Sequence, residues 1–233
     1  MILRKDYTSN VSFNYLKEYL LSRNNTIFNN TIGYTSNNDV YSILEQFFNN
    51  KKIIKDEKEI SIREIPIEIT NKIEKCRTTY NRNNEIDKIY VLDTDDWKKD
   101  IITAHELGHV YMNLNKKNKD KFLNKETLSV FLEFLVADSY GEEYYSNIVK
   151  EKFSYAKSLL IGDYRWYKKP QKIIYINGLV QADILFNKYK ENEVFVQDIL
   201  NDVVNSLIDI DMAVNIIKND IPYIPKIYSL NFD

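Results

Sequence analysis

Histidine and cysteine are almost missing from this chain: its 233 residues include 2 and 1 of them. With Cys76 alone, no internal disulfide can form and no zinc site built on paired thiolates competes. Glycine is scarce, and the 5 residues are scattered, so there is no glycine-rich phosphate loop. No stretch approaches the roughly 20 apolar residues that a membrane span needs. A net charge of −2 gives no reason to expect a nucleic-acid surface. Residues 1–7 lack the long apolar core of a signal peptide. The expectation is a cytoplasmic protein that binds neither nucleic acid nor membrane, or a secreted one if an upstream signal was removed.

The two histidines are His105 and His109, in the run Thr103-Ala104-His105-Glu106-Leu107-Gly108-His109-Val110. Residues four apart project from one side of a helix, so both imidazoles can reach a single ion. Glu106 stands beside them, where a carboxylate can take a proton from a zinc-bound water. Apolar Ile101, Ile102, Leu107, Val110 and Tyr111 would bury that helix. Gly108 costs on the order of 1 kcal/mol relative to Ala in a helix, which suggests a close approach by a neighbour.

Around this motif the chain reads as α+β. Helical spacing covers 11–22, followed by a polar loop at 24–38, and Asp39 is a candidate N-cap for a helix through Phe48. The charged run 51–58 is expected to be solvated. Alternating isoleucines over 59–70 suggest a strand in which Pro66 marks an edge or a break. Residues 77–80 and 86–92 suggest a hairpin leading into the metal helix, which Asp95 or Asp96 would cap. A lysine-rich loop over 113–125 then precedes a second long helix over 126–145. Beyond a turn before Pro170, 173–189 and 194–218 read as further helices, the second broken near Asp209. Two units follow: 1–150 as the metal-site domain with N-terminal helices, and 151–233 as a helical extension packed on it.

A third ligand is expected from the second helix, or else from elsewhere in the chain. Glu133 sits in the apolar stretch Val130-Phe131-Leu132-Glu133-Phe134-Leu135, where a carboxylate is costly unless paired or metal-bound. The predicted ligand set is therefore His105, His109 and Glu133, with Glu126 and Asp138 as competitors and Asp138 also a candidate partner for a ligand histidine. One zinc ion per chain, with Glu106 as general base, implies hydrolysis of a peptide bond. Tyr140 and Tyr144 are candidate donors to the tetrahedral intermediate.

His105-Glu106-Leu107-Gly108-His109 with a downstream helical Glu resembles the gluzincin metallopeptidases. The segment 89–144 is similar to the ImmA/IrrE family of bacterial and phage metallopeptidases. The likeness lies in its strand, its Thr103-to-His109 run and its Ala137-Asp138-Ser139-Tyr140-Gly141. It implies a minimal zincin-like core, a small sheet with the metal-site helix and a ligand helix, carrying extra helices at both ends. It also implies cleavage of a specific regulatory protein, such as a transcriptional regulator. Lethal-factor-like and proline-specific secreted peptidases share that core, and their further Tyr and Glu would map onto Tyr144 and Glu151. A zinc-containing protein that only binds a partner is the non-enzymatic alternative.

Overall fold

A computed structural model describes residues 13–23, 39–55, 58–73, 75–82, 85–114, 126–161 and 170–225. Among them, helices α1 (Phe13–Ser22) and α2 (Val40–Phe47) precede strands β1 (Ile53–Lys55), β2 (Lys58–Ile60), β3 (Ile67–Thr70), β4 (Arg77–Tyr80) and β5 (Ile86–Leu92). Six helices follow: α3 (Asp96–Leu114), α4 (Thr127–Tyr140), α5 (Glu142–Ile161), α6 (Pro170–Glu191), α7 (Glu193–Val204) and α8 (Ile210–Lys218). The class is α+β, mostly helical. The loop expected at 24–38, the lysine run at 116–125 and the turn before Pro170 lie outside the described residues.

The sheet beside the motif has three strands in the order β3-β5-β4, with β5 parallel to β3 and antiparallel to β4. Its central strand buries Ile89 and Val91 on one face, and a register shift opposite Thr79 and Tyr80 leaves Asp87 extra and puts Ile86 among the buried residues as well. The strand expected over 59–70 is shorter. Ser61 and Glu64 form a capping box around a single 3-10 turn at Ile62–Glu64, and β3 starts only after Pro66. Local hydrogen bonding to the backbone outcompeted the ladder there. The run at 51–58 holds β1, which pairs antiparallel with β2 and has Ile53 fully buried. Asp39 does cap α2, accepting from the Ser42 N–H at 2.8 Å.

Helix α4 is the axis of the molecule. Every residue from Thr127 to Ala137 is buried, the signature of a helix covered on all sides. It runs antiparallel to α3, since Asp100 meets Tyr140, His105 meets Glu133 and Gly108 meets Ser129. The helix expected over 126–145 stops at Gly141, whose φ of 129° favours glycine, and the chain restarts as α5. One apolar core extends from Leu16 on α1 to Ile217 on α8. The boundary expected at 150 falls inside α5, so the C-terminal helices share that core. Among the described residues, no helix is long and apolar enough to cross a membrane.

Candidate metal centre

His105 and His109 lie one turn apart on α3, their rings edge to face, with the two Nε2 atoms 3.2 Å apart. Glu126, immediately before α4, brings Oε2 to 3.3 Å from His105 Nε2 and 3.9 Å from His109 Nε2. Among the described residues these three form a group whose ligand atoms all lie within 4.8 Å of one another. Donors at 2.0–2.2 Å from a tetrahedral ion stand about 3.3–3.6 Å apart, so the triangle is the right size for a zinc-like cation.

Both rings are held from behind. Glu133 Oε1 lies 2.5 Å from His105 Nδ1, and Ser129 Oγ lies 3.2 Å from His109 Nδ1. A proton on each Nδ1, donated to these oxygens, leaves each Nε2 lone pair free for an ion. Ser129 comes so close because residue 108 has no side chain: a Cβ there would stand 2.5 Å from Ser129 Cα. Glu133 is itself held by Lys152 of α5, whose Nζ lies 2.6 Å from Oε2 and 2.8 Å from Oε1.

The charges match the geometry. Burial pushes the His105 imidazole toward its neutral form, but the carboxylates of Glu133 and Glu126 outweigh this and raise its pKa to about 10. Burial likewise raises Glu126, yet the hydrogen bond and charge of His105 hold it down at about 2. Without a metal, the site holds a proton between its carboxylates. An ion would replace that positive charge.

Glu106 is 5 % exposed and accepts a 2.7 Å hydrogen bond from the Thr78 hydroxyl of β4 at Oε2. Burial pushes its carboxyl up, opposed by Thr78 and by the charge of His105. A cleft of about 310 Å³ opens beside it, lined by Ile101, Ile102 and Ile148 and bordered by Lys98, Glu151 and Lys152.

His105, Glu106 and His109 are thus brought together as expected from the sequence. Glu133, predicted as the third ligand, instead faces His105 Nδ1, and the competitor Glu126 occupies the Nε2 side. The two acids are an i+7 step apart on one face, roughly 10 Å along the axis, so only one can reach the point between the Nε2 atoms. Asp138 is turned away, with both oxygens 2.8 Å from Lys190. Tyr140 donates to Asp100, and Tyr144 packs on Trp97 with its hydroxyl making no hydrogen bond among the described residues. Neither tyrosine lines the cleft; Glu151 does. Thr78, Ser129 and Lys152 carry no sequence signal of their own, although Gly108 hinted at the close crossing that places Ser129. Compared with protein-family models, with curated proteins and with solved structures, the chain matches none of them.

Proposed function

We propose that this chain is a zinc-dependent endopeptidase with a small zincin-like core, holding one zinc ion through His105, His109 and Glu126. Convergence of the two Nε2 atoms and Glu126 Oε2 beside a buried Glu106 carries the reading. A bound zinc ion supplies a Lewis acid that polarises the scissile carbonyl and lowers the pKa of water toward about 7. Glu106 takes the proton of the attacking water and passes it to the leaving amine. Its raised pKa suits a group that must hold the proton between those two events. Thr78 holds Oε2, so Oε1 is the oxygen that works.

Strand β4 is an edge of the three-stranded sheet and carries Thr78. An extended peptide pairing with that edge would run alongside Glu106, and the isoleucine-lined cleft would accept one of its side chains. The substrate is a protein or peptide; the likeness to ImmA/IrrE peptidases favours a cytoplasmic transcriptional regulator.

Metal content by mass spectrometry and cleavage of a quenched peptide library test this on wild type, Glu106→Gln and Glu126→Ala. One zinc per wild-type chain, hydrolysis lost in Glu106→Gln with zinc kept, and zinc lost in Glu126→Ala are expected. Wild-type protein that takes up no zinc when it is supplied would overturn the reading. Equal cleavage by Glu106→Gln would remove the assigned base.

A further inference from the structure

Helix α4 ties down the Glu126 backbone, whose carbonyl accepts from the Val130 N–H at 2.9 Å, but not its side chain. It precedes α4 with helical backbone angles, and its side chain makes no capping bond to the first-turn N–H groups. Its carboxylate is directed at the histidines instead. Where this helix start sits relative to the histidines depends on its neighbour, and that neighbour is α6. At Gly178 the two chains touch: a Cβ there would overlap Glu126 Cβ and stand 3.0 Å from the Glu126 carbonyl carbon and 3.1 Å from its Cα. One turn along α6, Gln181 accepts a 2.7 Å hydrogen bond from the hydroxyl of Thr127, a fully buried residue next to Glu126. One turn in the other direction, Tyr175 lies under the Lys152 ammonium, 6.0 Å from its ring centroid. That ammonium is the one gripping Glu133.

We propose that α6 is a working wall of the metal centre, with Gly178 and Gln181 as positioning residues that set where Glu126 presents its carboxylate. This rests on the zinc reading above. The missing side chain at Gly178 sets the depth at which the start of α4 sits. The Thr127–Gln181 bond sets its rotation, and Lys152 couples the same wall to the carboxylate behind His105. The C-terminal helices, read from the sequence as an extension packed on the metal-site domain, therefore act on ligand geometry. A small displacement of α6 would move Glu126 relative to histidines anchored on a different helix.

The test compares zinc affinity, by competition with a chromophoric chelator, in the full-length wild type, Gly178→Ala and Thr127→Val. The visible spectrum of the cobalt(II) forms and the melting temperature of the metal-free forms are recorded alongside. Gly178→Ala should bind zinc roughly 10–100-fold more weakly, the usual cost of disturbing a ligand's support, with altered cobalt bands. Thr127→Val should lose roughly fivefold, the equivalent of one net hydrogen bond. Wild-type affinity and spectra in both variants, with only the melting temperature moved, would mean packing alone and overturn the inference. If Gly178→Ala does not fold, Thr127→Val decides by the same criterion. Absence of zinc binding in the wild type would bring down the zinc reading and this inference together, whereas unchanged variants beside a zinc-binding wild type bring down the inference alone.

Discussion

Two buried carboxylates in this molecule have opposite fates. Asp183 on α6 is fully buried and receives Arg23 Nε at 2.8 Å, an Arg23 terminal nitrogen at 2.5 Å and the Tyr19 hydroxyl at 2.7 Å. It faces donors only, and it ties α1 to α6. Glu133 is nearly as buried and is also paired with a cation, Lys152. One of its partners, however, is an imidazole whose second nitrogen points at another imidazole nitrogen and a carboxylate. The Asp183 cluster closes on itself, while the Glu133 cluster leads to two imidazole nitrogens and a carboxylate oxygen gathered around one point. Burial of charge therefore does not mark a site; donor atoms aimed at a common point do.

The comparison can be broken most decisively at Glu106 and Glu126. Replacing Glu106 with Gln should cost about 10²–10⁴-fold in peptide hydrolysis, the usual share of a general base, with zinc retained. Glu126→Ala should abolish stoichiometric zinc, and retention of the ion would shift the ligand set back toward Glu133. In the closed cluster, Arg23→Ala leaves a buried carboxylate with one donor. Fully buried pairs lose about 3–5 kcal/mol when broken. Arg23 is 36 % exposed, so about 2 kcal/mol in urea unfolding is expected, with zinc content unchanged. Glu133→Gln should weaken zinc binding roughly 10–100-fold without abolishing it, measured by chelator competition. Complete loss would instead make Glu133 a ligand.

The pH response of the metal-free protein reads the same cluster without the ion. His105 has a folded pKa raised from 6.5 to about 10, so its contribution to stability is full below 6.5 and is lost as pH rises through about 10. Glu126 is lowered from 4.5 to about 2, so its contribution is present above 4.5 and lost as pH falls through about 2. Melting temperature against pH should therefore be highest, for this site, between about 4.5 and 6.5, and flatter in Glu126→Gln. Zinc must displace the His105 proton, so binding should release about one proton near pH 7 and tighten with rising pH. Calorimetry in buffers of different ionisation enthalpy measures that proton.

His105, Glu106 and His109 were readable from spacing alone, because helix geometry places i and i+4 on one face whatever surrounds them. The β4–β5 hairpin, the Asp39 cap and the α+β class followed from equally local signals. Burial of Glu133 was also legible, since an acid among Val130, Phe131, Phe134 and Leu135 must be partnered. Which partner it took was not. Two acids an i+7 step apart look equivalent along a sequence, and the choice depends on how far α4 slides along α3. That slide is set by contacts between residues distant in the chain: Gly108 against Ser129, Gly178 against Glu126, Gln181 on Thr127 and Lys152 on Glu133. The sequence by itself determined the turn that presents two imidazoles and a neighbouring carboxylate, because that turn is a property of one helix. Tertiary structure alone decided which carboxylate stands beside the two Nε2 atoms, because the crossing of three helices sets the distance between their side chains.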